Sequence, residues 1–156
     1  MRGKTAPKKT LNLESRYRDP LITKLINKTM QGGKKATAAK IVYDALEKLS
    51  RERKVEPPEL IREIVEKASP VLEVRSRRVG GANYQVPMEV RPSRKLILVM
   101  RWLLNAARSA KGVPTADALY TEMKNILEGT GEVLKKKEEL HRMAEANRAF
   151  AHYARY

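Results

Sequence analysis

One change of period restricts the fold of this chain more than anything else. Apolar residues return every three or four positions almost everywhere. From Tyr84 they alternate strictly, with Tyr84, Val86, Met88 and Val90 on one side and Gln85, Glu89 and Arg91 on the other. That is strand spacing in an otherwise helical sequence. Leu72 to Val79 precedes it, with Gly80-Gly81-Ala82-Asn83 between. The pair reads as a β-hairpin with glycine where positive φ is needed. Pairing across Gly81-Ala82 places Val79 opposite Tyr84, Arg77 opposite Val86 and Arg75 opposite Met88. Pro87 has no N–H to give a ladder, which argues against a central strand of a wide sheet but is tolerated in an isolated ribbon. Arginines fall on both faces, and a sheet packed on a helix could not bury them. The expectation is a projecting arm that reaches about 25 Å at eight residues per strand.

Helices surround this segment. Asp19-Pro20 supplies an N-cap and a proline at the first helical position. Leu21, Ile22, Leu25, Ile26, Thr29 and Met30 follow at helical spacing, and Gly32-Gly33 ends the run. A second helix spans about Ala36 to Arg53, with Ala38, Ile41, Val42, Ala45, Leu46 and Leu49 on one face. Pro57-Pro58 opens a third, with Leu60, Ile61, Ile64, Val65 and Ala68 inward, and Ser69-Pro70 closes it. A fourth follows Pro92. It is the most apolar, and Leu96, Val99, Met100, Trp102, Leu103 and Ala107 mark it as the centre of the core. Thr115 is read as the cap of a fifth helix that turns Leu119, Met123, Ile126 and Leu127 inward. After Gly129-Thr130-Gly131 a sixth fills most of the remainder. On it Lys136, Leu140, Met143, Asn147, Phe150 and Ala154 form a mostly apolar seam. Lys137, His141, Arg148, His152 and Arg155 lie about 100° round from that seam. The fold class is therefore mainly α: a single-domain bundle of six helices with a protruding two-stranded antiparallel ribbon at about 72–91. Residues 1–18 form a basic N-terminal arm, and residues 19–156 form the helical RNA-binding domain.

Composition limits what this body can do. Of 156 residues 42% are hydrophobic, enough for a core, yet 33 Lys and Arg face 18 Asp and Glu, giving +15. That imbalance calls for a polyanionic partner: RNA, DNA or an acidic membrane surface. There is no cysteine, so disulfides, thiolate zinc sites and cysteine nucleophiles are excluded, and a reducing, cytoplasmic location is the default. Leu96-Ile97-Leu98-Val99-Met100, the longest apolar run, is far short of the roughly 20 residues a membrane span needs. No apolar segment follows the basic start, which argues against a secretory signal. His141 and His152, on one helix, would stand roughly 16 Å apart along its axis and cannot share a metal. Gly32-Gly33-Lys34-Lys35 lacks the spacing of a phosphate loop, which needs a glycine where Lys28 stands and Ser or Thr where Lys35 stands. Carboxylates such as Glu138, four residues before Arg142, read as solvated helix pairs. No catalytic constellation, cofactor or metal is expected.

The basic residues gather. Arg2, Lys4, Lys8 and Lys9 lie in the arm. Lys28, Lys34, Lys35 and Lys40 surround the first interhelical turn, at a helix N-terminus that already favours phosphate. Arg75, Arg77, Arg78, Arg91, Arg94 and Lys95 follow the hairpin, and Lys136, Lys137, Arg142 and Arg148 the last helix. Aromatics make up 5% of the chain, and no strand carries the paired aromatics that stack single-stranded bases. Phosphate, sugar and shape contacts to folded RNA follow, with Tyr84 as one candidate stacking residue. An architectural DNA-binding protein using a β-arm fits the same residues, as does, less well, a helical protein-interaction module.

Two stretches carry a resemblance. Glu73-Val74-Arg75-Ser76-Arg77-Arg78-Val79-Gly80-Gly81-Ala82-Asn83-Tyr84-Gln85-Val86-Pro87 and Met143-Ala144-Glu145-Ala146-Asn147-Arg148-Ala149-Phe150-Ala151-His152-Tyr153 resemble the bacterial family of small-subunit ribosomal protein seven. Leu25-Ile26-Asn27 to Gly33-Lys34-Lys35, and Lys135-Lys136-Lys137-Glu138, are similar to further family motifs. The likeness covers nearly the whole chain. It implies binding to the 3′ major domain of 16S rRNA and an early role in assembling the subunit head. It also implies a ribbon tip, Val79, Gly80, Gly81, Ala82, Asn83 and Tyr84, near exit-site tRNA and emerging mRNA. The head's ninth and the platform's eleventh small-subunit proteins would be neighbours.

Electrostatic binding has a measurable signature. If about six to eight phosphates are neutralised, log K for rRNA should fall with log salt at a slope of roughly −4 to −7. A flat response in an equilibrium titration would remove the electrostatic argument.

Overall fold

The computed structural model describes residue 3 and residues 10–155. Its elements run α1 (Pro20–Thr29), α2 (Lys35–Arg53), α3 (Pro57–Ala68), β1 (Leu72–Val79), β2 (Ala82–Glu89), α4 (Pro92–Ser109), α5 (Thr115–Leu127), α6 (Glu132–Ala146) and a 3-10 helix (Arg148–Arg155). The core is an all-helical contact of Ile22, Leu25 and Ile26 with Leu46, Leu49, Leu60, Ile61, Ile64, Leu103, Leu119, Met123 and Ile126, each almost fully buried. α4 and α5 pack against each other, and α5 also lies on α2 and α3. Trp102 is only half-buried at the margin of this core. The deep positions of α4 are Val99, Met100, Leu103, Leu104 and Ala107, so the expectation for Trp102 is corrected. Its neighbours Arg101 and Asn105 are exposed, and the ring sits where the helix turns from core to surface.

The helix starts use different physics. Asp19 caps α1, its Oδ1 accepting from the N–H groups of Leu21 at 2.7 Å and Ile22 at 3.2 Å. Thr115 does not cap α5. The residue with extended backbone is Pro114, and no side-chain cap bond is made. At α6 the cap comes from another helix: Glu122 of α5, buried, accepts the Val133 N–H at 2.9 Å. Gly131 makes room for it, since a Cβ there would stand 2.8 Å from Glu122 Oε1 and φ is +101°.

β1 and β2 form a two-stranded antiparallel sheet. The register differs from the sequence expectation by two residues: Val79 pairs with Ala82, Arg77 with Tyr84 and Arg75 with Val86. Gly80 (φ 56°) and Gly81 (φ 90°) make the turn alone. A two-residue turn with both φ positive matches strand twist better than a longer one, and glycine supplies it without strain. A shift of two keeps every side chain on its face.

The ribbon is less free than expected. β2 packs against the 3-10 helix, and α6 against β1 and β2. Tyr84 has its ring centroid 5.2 Å from both Phe150 and Tyr153, and Val86 and Pro87, on opposite faces, are buried. The last helix is also shorter than read. The α-helix stops at Ala146, and Asn147 caps it with its N–H on Met143 O and Glu145 O. Its docking face runs through Val133, Lys137, His141 and Ala144 rather than the expected Lys136–Met143 seam. Val133 and Ala144 are buried while Met143 is 51% exposed. Lys137 donates to Lys67 O at 2.7 Å, and the Val71 N–H donates to His141 Nε2 at 3.0 Å. Ala144 permits close approach, and a lysine stem covers apolar surface while its ammonium finds a carbonyl. Phe150 and His152 thus leave the α-helical register, and Phe150 meets the ribbon instead.

Glu14 fixes the chain ahead of α1. Its carboxylate accepts the N–H groups of Arg16 (2.7 Å), Tyr17 (2.7 Å) and Asp19 (3.3 Å) and the Tyr43 hydroxyl (2.6 Å). Burial alone would raise its pKa, but these four donors together hold it below the ordinary carboxylate value of 4.5. Burial and the same carboxylate push Tyr43 up to about 12. A carboxyl with a lowered folded pKa stabilises fully above its unfolded pKa and loses that stabilisation as pH falls through the folded value. Glu14→Gln is therefore expected to cost about 1–3 kcal/mol at pH 7 and to flatten the loss of stability below pH 4.5. Urea unfolding from pH 3 to 7 checks it. Parallel acid limbs in both proteins would show that the carboxylate is not ionised there to any effect.

Candidate nucleic-acid interface

The ion pairs divide the surface into two kinds. On the flank where α2 meets α5, cations are matched: Lys48 with Asp117, Lys124 with Glu52 at 2.6 Å, and Arg53 with Glu128 at 3.7 Å. Glu47 takes both Arg16 and Arg51. Glu52 also accepts the Tyr120 hydroxyl, and its pKa is lowered first by the Lys124 hydrogen bond. These exposed pairs add little stability one by one, but together they neutralise that flank.

Around the α1–α2 turn the cations make no ion pair among the described residues. Lys28 occupies the last turn of α1, Lys34 is the N-cap of α2 and Lys35 its first residue, all exposed. Gly32 (φ 55°) and Gly33 (φ 75°) turn the chain between them. A cleft beside this turn is lined by Thr29, Gln31, Lys34, Thr37, Arg108 and Thr115. Arg108 was not singled out in the sequence, where it is one isolated base at the end of α4. Its guanidinium donates to Thr29 O at 3.2 Å, at the open C-terminal end of α1. It therefore brings a second element's charge to the turn that holds Lys34.

The ribbon cations fall into two groups. Glu73, buried, takes Arg75 on one oxygen and Arg94 at 3.2 Å on the other. Arg94 ties the ribbon base to α4, while Arg75 braces Glu73 from the same strand. Arg77, Arg78, Arg91 and Lys95 have no ion pair among the described residues, and Arg78 and Asn83 are exposed partners near the tip. Tyr84 is half-buried against Phe150 and Tyr153, its ring tilted onto both, so it is already engaged within the chain.

On α6 the expected basic flank is mixed. Lys136 pairs with Glu139 at 3.0 Å and Arg148 with Glu145 at 3.3 Å. Lys137 is committed to the Lys67 carbonyl. Arg142 is exposed, and its expected partner Glu138 makes no ion pair among the described residues. The pairs formed here are at three-residue spacing. Burial, and then the Lys137 charge, lowers the pKa of His141, consistent with a neutral ring that accepts the Val71 N–H. His152 is not on the same helix as His141. Arg2, Lys4, Lys8 and Lys9 lie outside the described residues.

Among the described residues no group of acids and histidines could hold a metal ion, and no helix is long and apolar enough to cross a membrane. A helical body neutral on one flank and cationic around the α1–α2 turn, the ribbon and α4 defines a polyanion-binding protein. Comparison with known proteins makes the class specific. The family model described as ribosomal protein S7p/S5e matches residues 1–148, and the chain belongs to that family. It is similar to "Small ribosomal subunit protein uS7" of Thermosipho africanus, 50% identical over 153 residues, or 98% of this chain and 99% of the relative. The proteins of the same name from Thermosipho melanesiensis and Thermotoga petrophila are 53% and 54% identical over 137 residues, 88% of each chain. The family is one of structural, non-enzymatic ribosomal proteins. It resolves the choice between RNA and DNA that the residues left open.

The turn offers the simplest test. Lys34→Ala with Lys35→Ala should weaken binding to rRNA by about 1–3 kcal/mol, the range for lost charge-assisted bonds. The melting temperature should hold, since both side chains are exposed. A matching loss of melting temperature would make the lysines structural.

Proposed function

We propose that this chain, a structural constituent of the small ribosomal subunit, binds the 3′ major domain of 16S rRNA and helps nucleate assembly of the subunit head. The observation that supports this most is the segregation of charge. Lys28, Lys34 and Lys35 with Arg108 form one cationic end, and Arg77, Arg78, Arg91 and Lys95 another. The α2–α5 flank has its cations matched by carboxylates. RNA backbone needs unpaired cations at several places on a rigid body to fix its register. The remaining residues of the proposed RNA surface are Arg2, Lys4, Lys8, Lys9, Arg75, Arg94, Lys136, Lys137, Arg142 and Arg148. Of these, Arg75 and Arg94 would act with Glu73 as a braced pair rather than as free charges.

The ribbon tip, Val79 to Tyr84, lies in this reading near exit-site tRNA and emerging mRNA. The ninth and eleventh small-subunit proteins are neighbours. Tyr84 anchors the tip to the 3-10 helix, so the functional surface of the tip is Arg77, Arg78 and Asn83 rather than the tyrosine ring.

Two measurements test the proposal. Full chain should co-sediment with small subunits after a high-salt wash and should prefer a 3′ major-domain fragment of 16S rRNA over duplex DNA of equal length. A variant with Arg78→Ala and Asn83→Ala, which spares Tyr84, should fold and enter subunits with normal yield. It should change the rate at which tRNA dissociates from the exit site of assembled ribosomes. Normal tRNA dissociation would remove the tip from the exit-site reading. Equal affinity for duplex DNA and the rRNA fragment would remove the specific rRNA reading.

A further inference from the structure

Where α4 runs beside α6 there is a groove of about 390 Å³ lined by Arg101, Trp102, Asn105, Ala106, Glu132 and Lys136. We propose that this groove takes one unstacked base of the bound RNA, with Trp102 as its stacking wall and Arg101 and Lys136 holding the flanking phosphates. The inference rests on the RNA-binding reading above and extends it from backbone contacts to a base contact.

Chemistry favours a nucleotide. Trp102 packs against the core yet keeps part of its ring on the groove, which fixes the ring's orientation in advance. Arg101, one residue earlier, is exposed and has no ion pair among the described residues. Lys136 faces it from α6, held at 3.0 Å by exposed Glu139, a pair weak enough to exchange for phosphate. The acid on the rim, Glu132, is matched by Lys135 at 2.9 Å. Asn105 brings an amide that can both donate to and accept from a base edge. A fixed aromatic face between cations is how proteins hold an unpaired nucleotide. An apolar peptide segment in the same groove would bury the Arg101 guanidinium while the one carboxylate in the lining, Glu132, is already paired with Lys135, which is costly.

The chain has a single tryptophan among six tyrosines, so tryptophan emission, excited at the red edge where tyrosine does not absorb, reports on this groove alone. The full chain is titrated with a 3′ major-domain fragment of 16S rRNA and, separately, with a fully paired RNA hairpin of similar length. Stoichiometric quenching by the fragment and little by the hairpin is expected, because paired bases are already stacked. Trp102→Leu should weaken fragment binding roughly 5- to 100-fold, the range for one base–aromatic stack. Trp102→Phe should restore most of it. Arg101→Ala, at an exposed position that leaves the core intact, should weaken fragment binding without changing the melting temperature. Tight fragment binding with unchanged Trp102 emission and full affinity in Arg101→Ala would overturn the proposal and leave the RNA-binding reading standing. Emission that responds only to another small-subunit protein, and not to RNA, would overturn it by making the groove a protein-docking site. If the fragment does not bind at all, the RNA-binding reading fails first and the groove proposal with it.

Discussion

Self-repulsion is the constraint under which this fold closes. A chain with 33 basic and 18 acidic side chains gains its core from apolar burial but loses compactness to like charge. Where the carboxylates go therefore matters more than how many there are. Glu52, Asp117, Glu47 and Glu128 stand along the α2–α5 contact and match the cations there. Four buried acids fix joints instead: Asp19 caps α1 and meets Arg62 of α3, and three others act likewise. Glu14 ties down the chain before α1, Glu122 caps α6 from α5, and Glu73 fastens the ribbon to α4 through Arg94. Among the cations left without an ion pair in the described residues are Lys28, Lys34 and Lys35 at the α1–α2 turn and Arg77, Arg78, Arg91 and Lys95 along and beside the ribbon. The same placement that lets the bundle close leaves a surface needing an anion.

This explains how far the sequence could be read. Helical periodicity placed the core of α1, α2, α3 and α5, because burial there depends on spacing along one helix. Asp19-Pro20 located the start of α1 because its cap acts within four residues. The Gly80-Gly81 turn was foreseen, but its register was not, because two- and four-residue turns differ only in which backbone hydrogen bonds close. The joints made by Glu122 and Glu73 join different elements, and no local pattern marks them. The docking face of α6 was misplaced by one position for a related reason. Apolar spacing chose the seam through Leu140 and Met143, whereas Lys137 and His141 settled it by reaching Lys67 and Val71 on other elements.

The proposed interface shows the same division between local and distant signals. Clusters such as Lys34-Lys35 and Arg77-Arg78 were visible as runs. Which of their members are free was not visible, since Arg75 and Lys137 are engaged by groups near or far in sequence. Arg108 escaped notice because it reaches the α1–α2 turn only through the fold. Tyr84 looked like a base-stacking residue, yet it serves the protein's own aromatic cluster with Phe150 and Tyr153. That cluster makes the ribbon and the C-terminal segment one mechanical unit, so a change in either is felt by both.

In the proposed interface unmatched cations, not total charge, define the RNA face. Lysine reactivity toward a small acylating reagent measures this directly, read residue by residue as the ratio of rates without and with a 3′ major-domain fragment of 16S rRNA. Lys28, Lys34, Lys35 and Lys95 should be protected several-fold or more, while Lys48 and Lys124 on the matched flank keep ratios near one. Equal protection across all six lysines, or protection of Lys48 and Lys124 alone, would contradict the account.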